Sequence, residues 1–149
     1  MELAVDEARK GIKNSHGGPF GAVIVKKGEI IASSHNQVLS KNDSTSHGEI
    51  MAIRKAEQAL DTYDLSGCEL YTTGEPCPMC LAAILWANIR KVYYGCTIAD
   101  NAEIGFRDEK FEKEMGKRKN LPEGFLEEKD REMCLELFEE YKKMKKTVY

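Results

Sequence analysis

The sequence predicts an α/β protein, with three α/β/α layers around a central mixed sheet. Three observations carry this. Residues 21–33 read as a β-hairpin, two strand-then-helix pairs follow, and helical patterns stand at both ends of the 149-residue chain. A hairpin is antiparallel, whereas strands joined through helices cross over to run parallel, so the two together make a mixed sheet.

From Glu2 to Asn14, the apolar residues Leu3, Val5, Ala8 and Ile12 fall at a loose helical spacing, which Gly17-Gly18-Pro19 ends. Gly21–Lys26 reads as a buried strand, Lys27-Gly28 as a tight turn and Glu29–Ser33 as the return strand. Asn42–Ser46 is a loop rich in candidate N-caps. Ile50, Ile53, Ala56 and Leu60 then recur at helical spacing from His47. Cys68–Thr73 is a strand, and Pro78 suits the first turn of a helix that continues from Cys80 to Trp86. Arg90–Gly95 is another strand. Residues 101–120 read as polar and irregular, with a helical tendency near Lys110–Lys117, and 121–126 as either a short strand or a loop. Asp130–Lys146 closes the chain as a helix with Met133, Leu137, Phe138, Tyr141 and Met144 along one face. No repeat, low-complexity tract or linker divides residues 1–149, a length that supports one domain with a real core.

Composition narrows the class. Hydrophobic residues make up 42% and charged ones 32%, and no apolar run nears the roughly 18 residues of a membrane span. Met1–Asp6 lacks a basic n-region, so no signal peptide and a cytoplasmic location are expected. The five cysteines, an odd number, argue against a disulfide framework, and Cys68, Cys96 and Cys134 read as buried thiols. A net charge of −3 does not suit a dedicated nucleic-acid binder. The Lys142–Lys146 cluster is the one candidate basic patch, and a helix end, where cations favour the dipole, accounts for it.

Two cysteines remain, in Pro76-Cys77-Pro78-Met79-Cys80, and His47-Gly48-Glu49 lies upstream. His47, Cys77 and Cys80 make three zinc ligands, one ion per chain. A structural zinc usually takes four protein ligands, whereas a catalytic zinc takes three and keeps a position for water. Both halves stand at predicted helix starts, whose positive ends favour thiolates. Glu49 is a spare carboxylate placed to move protons. The competing reading is a structural, non-catalytic site with His16 or His35 as fourth ligand. Otherwise His35 reads as a hairpin-end residue and His16 as a loop residue.

The pattern H-x-E…P-C-x-x-C is the zinc deaminase signature. On it, residues from about Met1 to Gly95 resemble the cytidine/deoxycytidylate deaminase superfamily, and most of the chain is similar to bacterial guanine deaminases. The resemblance implies a cytidine-deaminase-like fold and hydrolysis of guanine to xanthine and ammonia. Phe20, in Pro19–Val25, then lines the pocket. Asn36 binds the base edge, and the Gly48 backbone amide contacts substrate or water. Asp108, in Glu103-Ile104-Gly105-Phe106-Arg107-Asp108, contacts the guanine edge and helps relay protons. Trp86 could stack on the base opposite Phe20, or be core.

Other substrates stay open. His-Gly-Glu also occurs in fungal cytosine deaminases, and Gly124–Glu128 with the following helix resembles transfer RNA adenosine deaminases. The resemblance further implies a homodimer that exchanges residues from about 121 to 149 through the Gly116–Asn120 region, so that Tyr149 closes the partner's pocket. An apolar helix face that a short core does not bury alone would favour this exchange.

Overall fold

Helix α1 (Glu2–Lys13) opens the computed structural model, which describes residues 1–115 and 124–144. Its apolar stripe of Ala4, Val5, Ala8 and Ile12 is fully buried. Strands β1 (Gly21–Lys26) and β2 (Glu29–His35) follow, with Lys26 paired to Glu29 across the turn. Lys27 and Gly28 both have positive φ, 52° and 82°. Two left-handed residues in a row give a hairpin turn whose twist matches its strands.

After β2 come a short helix, α2 (Val38–Lys41), and α3 (Gly48–Leu60). Strand β3 (Cys68–Gly74), helix α4 (Pro78–Trp86) and strand β4 (Lys91–Cys96) form a parallel crossover unit. Helices α5 (Ile98–Glu103) and α6 (Asp108–Met115) occupy the stretch read from sequence as largely irregular. The source of α5 is a capping box. Thr97 Oγ1 accepts the Asp100 N–H, and the Asp100 carboxylate accepts the Thr97 N–H. Strand β5 (Leu126–Glu128) begins at the last residue of the ambiguous 121–126 segment, of which 121–123 lie outside the described residues, and α7 (Arg131–Lys143) is the last described helix.

The sheet order is β2-β1-β3-β4-β5. Strand β1 is antiparallel to β2 and β3, whereas β3, β4 and β5 are parallel. The mixed sheet is as expected. Because only β1 runs the other way, β2, β3 and β4 all end on one side, and α3, α4 and α5 begin there. One core layer packs Ala52, Ile53, Ala56, Leu81 and Ile84 of α3 and α4 against Ile24, Leu70 and Val92. The other packs Val5, Ala8 and Ile12 of α1 with Leu137, Phe138 and Tyr141 of α7. This is the three-layer α/β/α architecture.

The last helix forms as expected, with its apolar face turned inward. Cys134, Leu137, Phe138 and Tyr141 are its buried residues, at 0–3% exposure, and α1 and β4 of the same chain cover them. A single chain therefore buries this face unaided, and an uncovered apolar face gives no support to segment exchange. Residues 116–120 and 145–149, which would carry the exchange and Tyr149, lie outside the described residues.

Candidate active site

His47 is the N-cap of α3 and Cys77 the N-cap of α4, each with extended backbone, and Pro78 occupies the first turn after Cys77. Proline suits that position because its missing N–H would have no helical partner anyway. Cys80 follows within the same turn, wholly buried. Two helix starts at the same side of the sheet thus bring three ligand atoms within 4.8 Å of one another.

The distances fit zinc. With Zn–S near 2.3 Å and Zn–N near 2.05 Å, a tetrahedral N···S edge is about 3.6 Å. Here His47 Nδ1 lies 3.7 Å from Cys77 Sγ and 3.5 Å from Cys80 Sγ. Among the described residues this is the one group of three or more His, Cys, Asp or Glu side chains able to hold a metal. The electrostatics suit a cation as well. The Cys80 thiol, by hydrogen bonding, pulls Cys77 down to about 4, against the cost of burial and with help from His47. Burial holds Cys80 well above the ordinary thiol range. One thiolate is ready, and a bound cation takes the place of the second proton.

His16 and His35 do not provide a fourth ligand. His35 Nδ1 faces Glu7 Oε2 at 3.1 Å, and its Nε2 lies 2.9 Å from His16 Nδ1. Both imidazoles are engaged in this chain beside α1, which overturns the reading of a four-ligand structural site built on either.

Glu49 sits in the first turn of α3, 5% exposed and outside the ligand set. Burial pushes its carboxyl up to about 7, and the Cys77 charge adds to this. Burial opposes a charge on His47, yet its hydrogen bond to Cys77 and that sulfur's charge outweigh it and raise the imidazole to about 9. Glu49 lines a small inner pocket with His47, Cys77, Phe20, Asn36, Glu75, Asn101, Phe106 and Asp108. Outside it opens a cleft of about 360 Å³ that also includes His47, Cys77, Phe106 and Asp108 and is rimmed by Ser44, Arg107 and Phe111.

The expected residues that line the pocket come from three places. Phe20 stands just before β1, and its ring meets Phe106 edge-on at 4.8 Å. Asn36 follows β2, is 1% exposed, and uses Oδ1 to accept the Val38 N–H at 3.1 Å. Asp108 begins α6 and accepts from Asn101 Nδ2 at 3.0 Å. Gly48, buried at the start of α3 directly after His47, is not among the residues lining the inner pocket or the cleft.

Trp86 is a correction. It is 85% exposed, beside Tyr63, Ala82, Leu85 and Asn88 at the far end of α4. At a rise of about 1.5 Å per residue, it stands roughly 9 Å along the axis from Cys80 and roughly 13 Å from Cys77. It neither stacks opposite Phe20 in this chain nor belongs to the core. Three pocket residues, Asn101, Glu75 and Phe106, escape the sequence reading, which met Phe106 only as part of the Glu103–Asp108 segment. The signal for Asn101 was present in Thr97-x-x-Asp100, a capping box that starts a helix just before it.

A three-ligand zinc centre at the mouth of an α/β/α sheet, with a buried carboxyl beside it, defines a zinc-dependent hydrolytic deaminase. The chain belongs to the cytidine and deoxycytidylate deaminase family, whose zinc-binding region matches residues 1–96. It is 50% identical over 117 residues to the guanine deaminase of Bacillus subtilis, covering 78% of this chain and 75% of that protein. The crystal structure of that enzyme superposes with a TM-score of 0.74, at 51% identity, over 78% of this chain and 74% of the other. A guanine deaminase structure from Nitrosomonas europaea matches with a TM-score of 0.80 at 29% identity, covering 95% of this chain and 82% of that one. The tRNA-specific adenosine deaminase of Agrobacterium fabrum is 50% identical over 95 residues, 64% of this chain and 62% of that protein.

Proposed function

We propose that this protein hydrolyses free guanine to xanthine and ammonia. The observation that carries the reading is the convergence of Asn36 and Asp108 with His47 and Glu49 in one buried pocket. The similarity to the Bacillus guanine deaminase supports it, because it extends over 117 residues, more than the 96 of the shared zinc-binding region.

In this reading His47, Cys77 and Cys80 hold the zinc ion. Zinc bound there supplies the Lewis acidity that makes water nucleophilic near neutral pH. The oxygen of water adds to the amine-bearing ring carbon, the C–N bond breaks, and ammonia leaves. Glu49 carries one proton of the attacking water to the ring nitrogen and then the remaining hydroxyl proton to the amine, which leaves as ammonia as the new C=O forms, transfers its raised affinity for protons suits. Asn36, its amide oriented by the Val38 N–H, meets the purine edge, as does the Gly48 backbone at the helix start. Asp108 accepts from ring N–H groups and assists the relay. Phe20 and Phe106 form the apolar wall for the flat ring.

Ammonia release across guanine, guanosine, cytosine, cytidine, adenine and a transfer RNA anticodon stem-loop tests this. Guanine should have the highest kcat/KM. A cytosine or stem-loop value higher by about tenfold or more would replace the guanine reading.

We also propose a cytoplasmic homodimer active in purine metabolism. All five cysteines are free and buried, which suits a reducing compartment. No helix among the described residues is long and apolar enough to cross a membrane. Tyr63 and Trp86, at 80% and 85% exposure, form with Leu85 an apolar surface that a second copy would cover. Exchange of residues 121–149, with Tyr149 completing the partner's pocket, would have to re-form the α1–α7 contacts between two chains.

A further inference from the structure

We propose that Asn101 is a positioning residue for the reaction, holding the Asp108 carboxylate in its pocket orientation. The inference rests on the reading of Asp108 as the residue that meets the base.

Asn101 lies in α5 and is 1% exposed. Its Nδ2 donates to Asp108 Oδ2 at 3.0 Å, and both residues line the inner pocket. A carboxylate only accepts, so this bond fixes which way the amide faces. Asn101 Oδ1 is thereby turned away, buried and, among the described residues, without a hydrogen-bond partner. It faces Gly74, where an added Cβ would stand 3.0 Å from it. A buried acceptor left unpaired costs stability, and an apolar side chain of the same shape would avoid that cost. For stability alone, an amide is therefore a poor choice at this position. Its donor half explains it, by giving the Asp108 carboxylate a fixed protein partner on one oxygen.

The placement of Asn101 is rigid. Its carbonyl accepts the Phe106 N–H at 3.1 Å, which ties α5 to the segment leading into Asp108. Its neighbour Asp100 takes a two-pronged bond from Arg131 at the start of α7, one prong being Nη2 to Oδ1 at 2.7 Å. Helices α5 and α7 are thus locked together beside the pocket, and Asn101 passes that order to Asp108.

The proposal predicts a separation of stability from activity. Asn101→Leu should keep its zinc and melt at or above the wild-type temperature, because the orphaned oxygen is gone. Its kcat/KM for guanine should fall by about tenfold or more. A double-mutant cycle with Asp108→Ala gives the second readout. Once Asp108 is removed, adding Asn101→Leu should change kcat/KM by no more than about threefold. Losses that multiply in the double variant, or a single Asn101→Leu variant within about threefold of wild type, would overturn the inference. So would a fall in Tm of more than about 5 °C with matching loss of zinc, since that marks a structural role. If Asp108→Ala alone leaves guanine turnover intact, the reading of Asp108 fails instead. If the wild-type protein does not act on guanine, the substrate assignment fails.

Discussion

A Cβ placed on Gly48 would stand 3.0 Å from the carbonyl oxygen of Phe20, the same oxygen that accepts the Asn36 N–H at 2.8 Å. The start of α3 is therefore fitted against backbone that also places a pocket residue. Alanine at position 48 must displace that carbonyl by a few tenths of an ångström. Its gain in helix propensity is at most about 1 kcal/mol. Gly48→Ala should leave the thermal midpoint within a few degrees of wild type while raising KM for guanine several-fold. Steady-state kinetics beside a melting curve decide it, and an unchanged KM would show that the strand start yields without disturbing Asn36.

Zinc should be present at one ion per chain in protein purified without chelators. Changing His47, Cys77 or Cys80 to Ala should lower occupancy to less than about half, because the remaining two donors cannot close a tetrahedral site. Elemental analysis checks this without reference to activity.

Glu49→Gln keeps the volume of the side chain and removes its capacity to carry a proton. Turnover should fall by about 10²–10⁴-fold, the usual range for a general acid–base group, with zinc content intact. A loss below about tenfold would place the proton relay elsewhere, with Asp108 the first candidate.

The Asp100–Arg131 pair should show itself in the acid limb of stability. Arg131 and the hydroxyl and amide of Thr97 hold the Asp100 carboxyl well below the usual carboxylate range. The unfolded chain, with a value near 3.9, binds this proton more readily than the folded one. The stabilisation is therefore complete above about pH 4 and disappears as pH falls through the lower folded value. Asp100→Asn should cost about 2 kcal/mol at neutral pH, the scale of a charge-assisted bond. The gap between the two melting temperatures should narrow steadily below about pH 4.

Assembly has its own test at the exposed end of α4. Wild-type protein should run as a dimer at micromolar concentration by light scattering, and Trp86→Glu should shift it towards monomer. Deleting Val148 and Tyr149 should leave that mass unchanged and reduce guanine turnover. Unchanged kinetics would remove Tyr149 from the site.

Much of the centre was legible in the chain because it is local. His47-Gly48-Glu49 and Cys77-Pro78-Met79-Cys80 each carry ligands and a helix start within four residues, and Lys27-Gly28 marks the hairpin turn directly. Capping, proline placement and thiolate chemistry act over a single turn, so sequence alone determined the metal, its donors and the carboxylate beside them. The resemblance supplied Asn36 and Asp108. That they meet, and that Asn101 stands behind Asp108, follows from β2, β3 and β4 ending together, which is a property of the sheet. Trp86 shows the limit most plainly. Helix α4 reads Pro78-Met79-Cys80-Leu81-Ala82-Ala83-Ile84-Leu85-Trp86, apolar on every side, so no periodicity says which side faces the core. Packing decided it, turning Cys80, Leu81 and Ile84 inward and Trp86 out. An orientation not written in polarity is set only by which surfaces the neighbouring elements have left to cover.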